Sequence, residues 1–147
     1  QFGSDFGTPG SRLKLLGECL PRITGRLAKG NPPPTRNIPV LIGGGGEKKT
    51  LRLGAEYADV WHSFGDRETH LRKSDILSDH CADVGRNPLE VEHSVPWPGL
   101  ENAADLVADG VSLFTVGVSG PDYDLTTLAE AIGWRDDNTP PALSGLA

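Results

Sequence analysis

Between residues 11 and 29 the apolar residues Leu13, Leu16, Leu20, Ile23 and Leu27 recur at intervals of three and four, the stripe of an amphipathic helix. Ser11, after Pro9 and Gly10, is placed to cap its start, and Pro21, with no N–H to donate, predicts a kink or a split inside it. The segment GNPPPTRNIP, residues 30–39, cannot continue a helix, because each proline removes a donor and drives its predecessor into extended backbone. It reads as a stiff loop within one domain. Val40, Leu41 and Ile42 then form an apolar run without polar alternation, as in a strand buried on both faces.

Beyond that run the pattern alternates. Residues 47–58 predict a helix with Leu51, Gly54, Ala55 and Ala58 on one face, and 59–64, DVWHSF, a short strand. Residues 67–84 predict a longer helix with Ile76, Leu77, Cys81 and Val84 inward, closed by Gly85 as its C-terminal cap. A third strand follows at 91–95, a short helix at 101–108 stopped by Gly110, and a fourth strand at 112–118. The last helix, 122–134, carries Leu125, Leu128 and Ile132 on its stripe, and the tail from residue 136, with Pro140 and Pro141, reads as frayed. Strands alternating with helices at this spacing mean parallel strands joined by right-handed crossovers. The fold class is therefore α/β, and the pattern admits either a small open sheet or half of an eight-stranded (β/α) barrel.

At 147 residues the chain has the length of one domain. Its 20 acidic against 14 basic side chains, a net charge of −6, and the scatter of the basic residues argue against nucleic acid or an anionic membrane as a partner. No apolar run approaches the ~20 residues that span a bilayer, and QFGSDFGTPG lacks a basic-then-apolar signal pattern, so a soluble, cytoplasmic protein is expected. Cys19 and Cys81 lie in helical segments without CxxC spacing and are expected as buried, reduced thiols.

The chemistry centres on PVLIGGGGEKKTLRLGAEYADVWH, residues 39–62, where four glycines stand between a strand and a helix. The turn after a parallel strand is where α/β proteins place ligands. Gly43, Gly44, Gly45 and Gly46 permit positive φ and close backbone approach, and the amides of the helix starting near Glu47 point at the same spot. Together they suit an anion, most naturally a phosphate; a tight turn or close helix packing is the competing explanation. The spacing is neither that of a Walker A loop nor GxGxxG, since the last glycine of the latter would fall on Lys48. Lys48 and Lys49 add positive charge, although lysines on a first helical turn are usually solvated. The Glu47 side chain is expected to point away from the anion with only its amide engaged.

Of the histidines, His62 stands at a strand end beside the glycines and is the candidate for a ligand contact or a structural hydrogen bond. His70 and His80, on the long helix, are expected exposed or capping, and His93 as a satisfied interior group. None has metal-ligand spacing, so no metal is expected. Ser119 lacks a nucleophile elbow. Asp122 and Asp124 are expected to cap the last helix, with Tyr123 placed near a strand mouth, and Trp61 and Trp97 are expected in the core.

The glycine segment resembles the signature of the luciferase-like monooxygenases, in particular the flavin-type oxidoreductases that use the deazaflavin coenzyme F420. LFTVGVSGPDYDL, residues 113–125, resembles the last strand and loop of one subgroup, and FGTPGSRLKLL the helix before the glycine motif. The resemblance covers nearly the whole chain, from Phe6 to Asp136. It implies the C-terminal half, strands five to eight, of a (β/α)8 TIM barrel, with Gln1 at what would be an interior position of a longer chain that has its Met elsewhere. It further implies that the amides of Gly44, Gly45, Gly46 and Glu47 hold the cofactor phosphate, and that Trp61, His62 and Ser63 line the same pocket. The implied chemistry is hydride transfer between the deazaflavin, or FMN as the alternative cofactor, and an organic substrate. In the family the substrate pocket comes from the first four strands, so no catalytic acid or base is assigned. The implied partners are a small-molecule cofactor and substrate, and either a second copy or an N-terminal half that closes the barrel. A non-enzymatic, phosphate-binding or self-associating half-barrel module is the alternative.

Overall fold

The computed structural model describes residues 6–138, and the chain divides between residues 92 and 93 into two compact units. In the first, helix α1 (Pro9–Leu27) starts one turn earlier than its apolar stripe. Thr8 caps it rather than Ser11: the Thr8 hydroxyl accepts from the Ser11 N–H at 3.2 Å and the Ser11 hydroxyl accepts from the Thr8 N–H at 2.9 Å. Pro9 then occupies the first helical position, where its missing N–H leaves nothing unpaired. The helix runs through the exposed Pro21 without splitting.

Strand β1 (Leu41–Gly43), helix α2 (Thr50–Tyr57), strand β2 (Val60–His62) and helix α3 (Arg67–Val84) follow. β1 and β2 are parallel, pairing Leu41 with Val60, Ile42 with Trp61 and Gly43 with His62. The Asp59 carboxylate accepts from the Val40 N–H at 2.7 Å, while the N–H groups of Asp59 and Val60 both donate to the Val40 carbonyl, which fixes that register at the strand entry. β1 is not buried on both faces as its composition suggests: Ile42 is buried, but Leu41 is 51% exposed. α3 has the predicted bounds because both ends are locally encoded. The Asp66 carboxylate accepts from the Thr69 N–H at 2.9 Å, and Gly85 adopts φ 72°, so that the Arg86 N–H reaches back to the Cys81 carbonyl. The core of this unit gathers Leu20, Ile42, Leu51, Trp61, Leu77 and Val91 with smaller residues. Cys81 is buried and free, and burial pushes its thiol pKa up, whereas Cys19 is only half-buried.

The second unit holds strand β3 (Glu92–Pro96) from its second residue on, helix α4 (Leu100–Ala108), strand β4 (Val111–Thr115) and helix α5 (Thr126–Asn138). β3 and β4 are parallel, with an irregularity between His93 and Ser94. Asp124 caps α5 as expected, accepting from the Thr126 N–H at 2.9 Å and from its hydroxyl at 2.6 Å, so this helix begins four residues later than its predicted start at 122. The stripe predicted on α5 is not an interior one: Leu125 is 55% and Ile132 40% exposed. Trp97 is half-buried rather than in a closed core. It packs edge-on against Phe114 and Trp134, and its indole N–H donates to Glu130 at 2.8 Å. The tail expected to fray from residue 136 is helical through Asn138, and the rest of it lies outside the described residues, as does Gln1.

The architecture is thus α/β, with parallel strands alternating with helices within each unit. Among the described residues no helix is long and apolar enough to cross a membrane.

Candidate functional site at the glycine turn

Strand β2 supplies the anchor. Trp61 is fully buried, and its indole N–H donates to the Gly44 carbonyl at 2.9 Å, while the Gly44 N–H donates to the His62 carbonyl at 3.1 Å. Gly44 is held from both sides at φ 127°, a conformation that side chains disfavour, and this turns the chain out of β1. The N–H groups of Gly45, Gly46 and Glu47 donate to no backbone carbonyl among the described residues. They remain as donors in the turn, whereas the Gly44 amide, expected among the phosphate ligands, is taken by the His62 carbonyl and serves to shape the turn.

The helix after the turn begins at Thr50, not at 47. The Gly46 carbonyl accepts from the Leu51 N–H at 3.1 Å, a wider turn than the α-helical one, before the regular pattern starts with Leu53 bonding to Lys49. The anion-facing amides therefore belong to a glycine turn preceding the helix, and Thr50 enters the site: its hydroxyl would lie 2.7 Å from a Cβ placed on Gly46. A Cβ on Gly45 would collide with the Nζ of Lys73 and stand 2.9 Å from its Cε. The ammonium of Lys73, carried by α3, thus lies against the turn, and it forms no ion pair among the described residues.

Glu47 is tied to α3 at two atoms. Its carboxylate is paired with Arg72, whose hydrogen bond and charge hold the carboxyl below the usual range. Its carbonyl accepts from His80 at 2.8 Å, so the Nε2 of His80 carries the proton, because a carbonyl has none to give.

The pairing of Gly43 with His62 brings the end of β2 beside the turn. His62 is buried, edge-on to Phe64 with ring centroids 4.6 Å apart, and burial lowers its pKa, favouring the neutral imidazole. Ser63 is 1% exposed, and its hydroxyl has no hydrogen-bond partner among the described residues. His70, expected exposed or capping, is instead buried and stacked on Trp61 with rings 5.4 Å apart and 13° from parallel. It shares the inward face of α3 with Leu77 and Cys81, seven and eleven positions on, a spacing that the polar residue type disguised.

The fold accordingly brings Gly44, Gly45, Gly46 and Glu47 into one turn, with His62 and Ser63 on the adjoining strand end. Sequence reasoning missed Lys73, Thr50 and Arg72. Lys48 and Lys49, singled out by adjacency, are exposed. Tyr123 lies in the other unit, 62% exposed at φ 47°. Among the described residues no cluster of His, Cys, Asp or Glu could hold a metal ion. The turn thus carries amides without a backbone acceptor, a hydroxyl against Gly46 and an ammonium against Gly45, a donor set whose chemistry suits an anion, and the Glu47 carboxylate within it is paired with Arg72.

Comparison of the chain with models of known protein families finds no match, and comparison with curated proteins finds none.

Proposed function

We propose that the glycine turn is the phosphate site for a deazaflavin coenzyme, in a chain that forms strands five to eight of a luciferase-like (β/α)8 barrel. The observation that carries the reading is the convergence at the end of β1: a glycine turn with unengaged amides, the Lys73 ammonium against Gly45 and the Thr50 hydroxyl against Gly46. A phosphate ester fits this donor set, since the amides, the Thr50 hydroxyl and the Lys73 ammonium all donate hydrogen bonds, while Glu47 is held by Arg72.

A bound deazaflavin supplies the hydride-transfer chemistry, and the protein orients it. The chain's own contribution is positional. Trp61 and the His62 carbonyl fix Gly44, and the turn amides with Lys73 hold the phosphate. His62, kept neutral by burial, and the Ser63 hydroxyl stand at the adjoining strand end. No residue is assigned as acid or base.

The test is a fluorescence titration of the purified chain with the deazaflavin coenzyme, with FMN and inorganic phosphate in parallel. Saturable deazaflavin binding, tighter than FMN and phosphate, is expected. A folded sample that binds none of the three would overturn the reading, and phosphate binding with no preference for deazaflavin would reduce it to a non-enzymatic phosphate module.

A further inference from the structure

We infer that Lys73 is the side chain that recognises the phosphoryl group, and that Gly45 is glycine to leave room for its ammonium. The inference rests on the proposed cofactor-phosphate site. Two of the glycines have local reasons to be glycine: Gly44 has φ 127°, and a Cβ on Gly46 would press on the Thr50 hydroxyl at the start of α2. Gly45 lies outside the positive-φ region, so its backbone makes no demand for glycine. What a side chain there would displace is Lys73: the nearest atoms to a Cβ on Gly45 are its Nζ, its Cε at 2.9 Å and its Cδ at 3.1 Å.

A lysine stem laid along a glycine backbone gives up rotamer freedom that it would keep in water. Among the described residues no carboxylate makes a direct ion pair with it: Glu47 is hydrogen-bonded to Arg72 and attracts Lys73 only more weakly, through space. Arg72 and Lys73 are consecutive on α3 and divide the work. Arg72 pairs with the acidic residue of the turn, and Lys73 places its charge against Gly45, next to amides that donate to no backbone carbonyl among the described residues. An anion in the turn gains a charge-assisted hydrogen bond from Lys73 that the exposed Lys48 and Lys49 do not supply.

The experiment compares binding of the intact deazaflavin coenzyme with that of the deazaflavin nucleoside lacking the phosphate. Both are titrated against the wild type, Lys73→Met, Gly45→Ala, the double variant and Lys48→Met, with a thermal melt of each protein as a check on folding. Methionine keeps the apolar stem and removes the charge. Lys73→Met should weaken the coenzyme about tenfold, the scale of one charge-assisted contact, and leave the nucleoside unchanged; Lys48→Met should leave both within about twofold. Gly45→Ala displaces the ammonium, and the double variant should lose no more than Gly45→Ala alone, because the two act on one contact. If the wild type binds coenzyme more tightly than nucleoside while Lys73→Met changes nothing, or weakens both forms equally, this inference fails and the cofactor site stands. If the wild type does not distinguish the two forms, the cofactor-phosphate reading fails and the inference with it.

Discussion

In the first unit every residue of β2 is buried, and Trp61 is enclosed by side chains from both α2 and α3. In the second unit β4 buries Val111 but exposes Ser112 and Leu113, and α5 buries no residue. Its buried apolar cluster among the described residues is Val95, Leu106 and Val111, with Ala103 buried besides, and a cleft of about 800 Å³ opens among residues such as Trp97, Val107, Phe114, Ile132 and Trp134. The glycine turn is borne by the better packed pair of strands. A site that depends on the placement of three backbone amides needs such support, because its donors have no side-chain freedom with which to adapt.

The largest expected effect sets the two units directly against each other. Trp61→Ala removes a fully buried indole and its hydrogen bond to Gly44, and should cost about 3–5 kcal/mol in urea denaturation. Trp134→Ala removes a half-buried ring beside an open cleft and should cost only about 1–2 kcal/mol. Equal losses would show that the second unit is packed as tightly as the first.

Two neighbouring glycines sharpen the contrast between backbone demand and side-chain room. Gly44→Ala forces a Cβ into φ 127° and should cost on the order of 1–3 kcal/mol. Gly45→Ala meets only the mobile end of Lys73 and should stay within about 0.5 kcal/mol of wild type while weakening coenzyme binding. A Gly45→Ala protein as unstable as Gly44→Ala would mean that the turn needs both for its conformation.

The pH dependence tests how dry the strand end is. The folded-state pKa of His62 lies below the ordinary value of 6.5, so the unfolded chain takes up the proton first as pH falls. Stability from the neutral imidazole is complete above pH 6.5 and is lost progressively as the pH drops toward the depressed folded value. Melting temperatures measured downward from pH 7 should show an acid slope that His62→Gln reduces; an unchanged slope would contradict the assignment.

The smallest effect has the opposite sign. Ser63→Ala deletes a buried hydroxyl without a partner among the described residues, and should leave stability unchanged or raise it by up to about 1 kcal/mol. A loss larger than that would mean that the hydroxyl is satisfied in solution.

Much of this was legible in the chain, wherever the signal is local. α3 was readable to the residue because Asp66 and Gly85 mark its ends chemically, and the turn was readable from the run of four glycines, although not that Gly44 is the one among them with positive φ. The start of α2 was not, because the wide Gly46 to Leu51 turn has no sequence mark, and the helix-forming run EKK looks the same inside a helix or before it. His70 sat at core spacing with Leu77 and Cys81, but its polarity outweighed its position. α5 shows the reverse error: an apolar stripe predicts a face and not what covers it, so Leu125 and Ile132 remain exposed. Lys73 could not be found locally at all, because its proximity to Gly45 depends on how α3 packs beside β1 and α2.

The most direct test of the phosphate assignment is a two-dimensional amide NMR titration of the chain with the deazaflavin coenzyme. The account predicts saturable shifts centred on the Gly45, Gly46 and Glu47 amides, absent when the phosphate-free nucleoside is added. Coenzyme binding that leaves those three amides unmoved, or that moves them equally with the nucleoside, would contradict it.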